Sequence, residues 1–88
     1  MKTVMFYDLA PGGAEKAPAN FAAHRARLDK FHARGVLLMA GPLGNPPEGA
    51  LGIFTSREAA EEFVGDDPFV LNGVVDNVRL MPWNEVLA

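Results

Sequence analysis

The sequence predicts one α+β domain, a four-stranded antiparallel sheet with two helices on one face. Three observations carry this. Four short apolar runs and two amphipathic stretches follow one another in the order β-α-β-β-α-β. Clusters of glycine, proline and aspartate separate them. The chain has 88 residues, enough for a single domain over residues 1–88, and its 49% hydrophobic content sets it apart from disordered chains.

Lys2–Leu9 alternates as a strand, with Val4 and Phe6 on one side and Thr3, Met5 and Tyr7 on the other. Pro11, Gly12 and Gly13 end it, and a flexible segment runs to Pro18. Ala17–Gly35 is the first helix, with Pro18 in its first turn and Gly35 just past its end. Val36–Ala40 is a strand apolar on both faces, and Gly41–Gly49 is a loop rich in glycine and proline. Leu51–Thr55 is the third strand. Ser56 caps the second helix, or Thr55 does so with Glu58 completing a capping box. Ala59, Ala60, Phe63 and Val64 form that helix's apolar side, and Gly65 ends it. Asp66-Asp67-Pro68 is a turn, and Pro68 opens a short helical segment closing by Gly73. Val74–Met81 is the last strand, and Pro82-Trp83 begins a tail.

The simplest assembly is a ferredoxin-like split βαβ plait with strand order 4-1-3-2. It leaves one sheet face bare. Strand 1 offers Met5 and Tyr7 to that face, and strand 4 offers Val75 and Met81 or Val78 and Leu80. A broad apolar face marks an interface, so a homodimer packed sheet to sheet is expected.

Composition narrows the function. With no cysteine there is no disulfide, thiolate metal site or cysteine nucleophile, which suits a reducing cytoplasm. Asp8 breaks the only apolar run near the N-terminus, so no signal peptide is expected, and no run reaches membrane-spanning length. The net charge of −3 and pI of about 5.2 argue against nucleic acid as a partner. The basic residues of helix 1 read as a solvated face. The strands lack the aromatic pattern of RNA-recognition domains, and a copper-chaperone domain needs a cysteine pair. No Gly-Lys-Ser/Thr follows the 41–49 loop, so it is no phosphate cradle.

The chemistry points to His24. With Phe21 at zero on a helical wheel, His24 falls at about 300°, between Leu28 and Phe31 on the stripe facing the sheet. In the plait, the early turns of helix 1, the 41–49 loop and the Asp66-Asp67-Pro68 turn all reach one rim. Asp67 is then the expected partner of His24. A carboxylate beside an imidazole fixes its tautomer, orients the ring and favours the imidazolium, so the pair can move protons. The plainer readings are a core histidine satisfied by a backbone carbonyl and an aspartate capping the Pro68 turn. Asp66 is the competing carboxylate, expected to face solvent. Tyr7 and Asp8 end strand 1 at the same rim and can line the pocket. His32 also leans toward the sheet, but near the helix C-terminus, where it suits the dipole. With His24 it makes a poor metal site, because no third ligand is evident. Trp83 anchors the tail.

The run His24-Arg25-Ala26-Arg27-Leu28, the run Gly35–Leu43 ending Gly41-Pro42-Leu43, and Asp67-Pro68-Phe69 with Gly73 together resemble the YciI-like (YCII-related) family. The ending, with Val78 and Pro82-Trp83, is similar too. The resemblance covers nearly the whole chain. It implies a dimeric α/β-barrel of ferredoxin-like protomers, with the histidine and the aspartate of the DP pair, here His24 and Asp67, as an active-site dyad. Some relatives are dehydrochlorinases, and the wider superfamily includes muconolactone isomerases and small monooxygenases. Many members carry an arginine where this chain has Phe21, and the loop after Gly41-Pro42-Leu43 is short here, which favours a more apolar ligand.

The expected protein is thus a small enzyme without a cofactor or metal, moving protons as a lyase or isomerase on a compact cyclic or aromatic metabolite. His24 is the acid/base and Asp67 its orienter. Tyr7, Gly41, Pro42, Leu43 and Phe69 line the pocket. The alternative is a non-catalytic module binding a small ligand or a protein.

Overall fold

Alternation along the first apolar run places Thr3, Met5 and Tyr7 in the core, leaving Val4 and Phe6 half-buried on the other face. In the computed structural model, which describes residues 1–88, that run is β1 (Lys2–Leu9). It is followed by α1 (Gly13–Ala33), β2 (Leu37–Leu43), β3 (Gly49–Phe54), α2 (Arg57–Gly65), α3 (Pro68–Leu71) and β4 (Val75–Trp83). The sheet order is β2-β3-β1-β4, all neighbours antiparallel, which is the expected 4-1-3-2 read from its other edge. The architecture is the α+β plait.

The core lies between the sheet and its helices. Phe31 of α1, Phe54 of β3 and Phe63 of α2 are fully buried. Phe31 meets Phe63 edge to face at 5.2 Å, and Phe54 packs on Phe63 at 5.5 Å. Arg27 of α1 donates to the carbonyls of Phe63 (3.0 Å) and Glu62 (2.7 Å). The last turn of α2 has no basic residue of its own, so α1 supplies the cation that its exposed carbonyls favour. Ser56 caps α2 by accepting from the Ala59 amide.

Several expectations need correcting. Helix 1 starts at Gly13, with Pro18 inside it rather than in its first turn. Gly13 lets the helix start pack against β4: a Cβ there would lie 2.1 Å from the Val74 carbonyl oxygen. Gly41-Pro42-Leu43 is not loop but the end of β2, paired with Leu51, Ala50 and Gly49. Likewise Pro82 and Trp83 belong to β4 rather than to a tail. Both prolines sit on edge strands, where a missing N–H can face solvent.

Strand 1 presents the opposite face from the one expected, whereas on strand 4 the expected Met81 does lie on the open face and its pair Val75 does not. Met5 and Tyr7 lie under the helices, and Val75 is buried with them. The open face instead presents Val4, Phe6, Leu51 and Met81, flanked by Met39, Leu43 and Trp83. It is apolar and partly exposed, with Met39 at 70% and Met81 at 49%. No helix is long and apolar enough to cross a membrane.

Candidate active site

Proline at 68 opens α3, and the residue before it is held extended (φ −71°, ψ 122°). That residue is Asp67, which caps α3 by accepting from the Phe69 amide at 3.2 Å. The same cap turns its carboxylate inward, where it is fully buried. Asp67 Oδ1 lies 2.7 Å from Nδ1 of His24. Tyr7, from the central strand β1, donates its hydroxyl to Oδ2 at 2.6 Å. One carboxylate therefore meets a helix, a strand and the next turn.

The contacts around Asp67 suit an ionised carboxylate. Three groups point at Asp67: the Phe69 amide can only donate, and the Tyr7 hydroxyl, close to Oδ2, donates to it when the carboxyl is ionised. An ionised carboxylate accepting from His24 as well accounts for all three contacts. His24 then carries its proton on Nδ1 and leaves Nε2 free. Every fully buried side-chain nitrogen and oxygen has a hydrogen-bond partner. Nε2 has none within the protein, so it is not fully buried, and His24 is among the residues that line the cavity. The ring is clamped against Phe69, parallel at 3.8 Å, and its edge meets Phe63 at 6.3 Å.

Burial pushes the Tyr7 phenol far above its ordinary value of 10.0, and the Asp67 hydrogen bond and charge push it further, against a small opposing effect of Arg27. The sign follows. Below pH about 10 both folded and unfolded chains hold the proton; above it only the unfolded chain releases it, so stability falls by about 1.4 kcal/mol per pH unit from this group. Tyr7 is the only tyrosine. Its phenolate absorbance should therefore appear only as the alkaline protein unfolds. A gradual, reversible titration near pH 10 in the folded protein would contradict this burial.

The cavity has a volume of about 690 Å³, within the usual range for small-ligand sites. It opens between α1 and the sheet from β1 to β2. Phe21, His24 and Leu28 form its helix wall; Met5, Tyr7, Ala40, Gly41 and Pro42 floor it; Phe69, Val74 and Val75 close one end. Fifteen of its 23 lining residues are hydrophobic, and the ionisable ones besides His24 and Tyr7 are Arg25, Asp29 and His32.

Of the residues singled out from sequence, Tyr7, His24, Gly41, Pro42 and Phe69 meet at this cavity, with Asp67 behind His24. Gly41 and Pro42 arrive as strand residues rather than as a loop. Leu43 does not line this cavity; it is half exposed on the open face. Asp66 is exposed, and Asp8 is exposed and accepts from Asn77 at 2.6 Å. His32 stands in the last turn of α1, where it suits the helix dipole, and its exposed side chain also lines the cavity. No group of three His, Cys, Asp or Glu side chains is placed to hold a metal. Sequence reasoning missed the Tyr7–Asp67 bond. The signal for it was a lone tyrosine at the rim end of a central strand, since a buried hydroxyl needs a partner.

Residues 1–84 match the YCII-related domain. The chain is 40% identical to Protein YciI of Escherichia coli O6:H1 over 76 residues, covering 73% of this chain and 76% of that protein. It is 32% identical to an uncharacterized protein of Haemophilus influenzae, covering 98% and 99% of the two chains. Among solved structures it is similar to the 5-chloro-2-hydroxyhydroquinone dehydrochlorinase TftG of Burkholderia phenoliruptrix AC1100, in complex with 2,5-dihydroxybenzoquinone. That similarity has a TM-score of 0.78 and 23% identity, and covers 96% of this chain and 94% of the other. At that identity the likeness establishes the fold alone, the α+β plait. The sequence matches establish the family: this chain is a member of the YCII-related, YciI-like proteins.

Proposed function

We propose that this chain is a small cytoplasmic enzyme, working without a cofactor, that catalyses proton transfer as a lyase, dehydrochlorinase or isomerase on a compact cyclic or aromatic metabolite. One observation carries the reading: His24, a residue lining a largely apolar cavity, is bonded through Nδ1 to a buried carboxylate and has no protein partner on Nε2. Nε2 takes a proton from a carbon or hydroxyl of the substrate. The electron pair left behind either expels a leaving group or shifts along the ring. The imidazolium then returns the proton to the leaving group or to another carbon. Asp67 stabilises the imidazolium and keeps the ring from turning. Gly41, Pro42 and Phe69 wall the cavity, and Phe21 at its mouth offers a planar apolar surface. The named ligands of TftG, a chlorinated hydroxyhydroquinone and a dihydroxybenzoquinone, have the size and shape class this cavity favours.

The test is a panel of halogenated and hydroxylated quinols and related cyclic acids, followed by halide release and by absorbance. Turnover that requires His24 supports the reading. Saturable binding with every compound recovered unchanged contradicts it and makes the chain a binding module.

The apolar open face supports a homodimer, sheet against sheet, as the working unit. Size-exclusion with light scattering should give twice the 9.5 kDa chain mass at micromolar concentration. A pure monomer would contradict the dimer.

A further inference from the structure

Tyr7 is 1% exposed, yet its hydroxyl is committed to a carboxylate that belongs to the site. Its strand is central, flanked by β3 and β4, so its backbone has little freedom. The β1–β4 register shifts between Phe6 and Asp8, setting Asn77 and Val78 of β4 opposite the single Tyr7. Asn77 takes a positive φ of 48° there, and its side chain bonds to Asp8. A bulge at this point aims one side chain, and bulges of this kind are over-represented beside active sites.

We propose that Tyr7 is a positioning residue that sets the basicity of His24 through Asp67. This rests on the His24–Asp67 reading above. A donor on Oδ2 withdraws charge from the carboxylate, and the charge that remains is what favours the imidazolium. A stronger donor at Tyr7 makes His24 less basic, and a missing donor makes it more basic. Burial keeps the phenol protonated well above neutral pH, so it stays a donor wherever histidine titrates.

The other charges around His24 are few. On α1, Arg25, Asp29 and His32 line the same cavity, and Arg25 is paired with Asp29 at 3.2 Å. Arg27 is committed to the end of α2, which itself offers His24 only Phe63. β2, β3 and β4 contribute no ionisable side chain to the cavity lining, and α3 adds only the stacked Phe69, with its capping Asp67 behind His24. No other donor reaches Oδ2.

The experiment is an NMR titration of the His24 ring in the whole protein, with His32 as internal reference. Four forms are compared: wild type, Tyr7→Phe, protein grown with 3-fluorotyrosine, and Asp67→Asn. Because Tyr7 is the only tyrosine, fluorination changes this phenol alone and makes it a stronger donor. The His24 midpoint should rise by about half a pH unit in Tyr7→Phe and fall with fluorotyrosine. It should fall further in Asp67→Asn. A change in packing alone would not give opposite signs for the first two. If Tyr7→Phe does not fold, the downward shift with fluorotyrosine still decides. If neither change at Tyr7 moves the midpoint, or both move it the same way, while Asp67→Asn shifts it, Tyr7 does not have this role and the pair stands. A midpoint indifferent to Asp67→Asn overturns the His24–Asp67 reading itself.

Discussion

Asp67→Ala is expected to lower the stability of the domain by about 3 kcal/mol, as measured by denaturant unfolding. The carboxylate is fully buried and meets Tyr7, His24 and the Phe69 amide at once. Alanine strands a hydroxyl and an imidazole N–H in a site that held an acceptor for both, and it removes the cap of α3. A cap alone contributes about 1 kcal/mol, and each stranded buried donor costs roughly 1–3 kcal/mol before water enters the space. For a domain of this size the melting temperature should drop by roughly 12–24 °C. Asp67→Asn should fall between wild type and alanine, because its amide keeps one acceptor but turns an N–H toward another donor. A change within 0.5 kcal/mol for Asp67→Ala, the ordinary range for a surface position, would show that Asp67 is not the hub of this corner.

The second large effect is on turnover. With a substrate from the quinol panel, His24→Ala should lower kcat by roughly 10²–10⁴-fold, the usual contribution of a positioned acid/base. The fold should survive, because the ring lies at the cavity wall against Phe69 and Phe63 rather than in the Phe31–Phe54–Phe63 cluster. Free imidazole added to His24→Ala should recover part of the lost rate, since the vacated space stays bounded by Phe69 and Asp67. Circular dichroism and light scattering should match wild type. Retained activity in His24→Ala would remove the histidine from the chemistry.

The parts of this site legible in the sequence are those that topology alone decides. The β-α-β-β-α-β order brings an early α1 residue and the turn after α2 to one rim, so His24 and Asp67 could be paired without coordinates. The proline after Asp67 gave the extended cap geometry directly. The orientation of β1 was not legible. Its two faces are Val4 and Phe6 against Thr3, Met5 and Tyr7, and both are apolar enough for either to be core. That ambiguity arises because the open face is itself apolar, and it hid the Tyr7–Asp67 contact. The extents of α1 and β2 differ from what the sequence signals suggest, for a related reason. Pro18 and Gly41-Pro42 are strong breaker signals locally. Tertiary context overrides them: Gly13 packs on Val74, and an edge strand tolerates Pro42.

The central claim is that Asp67 holds His24 as a base facing the cavity. Nitrogen-15 NMR of the two histidine side chains, at a pH where both are neutral, tests it without a substrate. The geometry predicts that His24 is held in the tautomer with its proton on Nδ1 and Nε2 bare, unlike the exposed His32. Asp67→Asn should loosen that preference. A His24 protonated on Nε2 in the wild-type protein would contradict the account, because the nitrogen facing the cavity would then have no lone pair with which to take a proton.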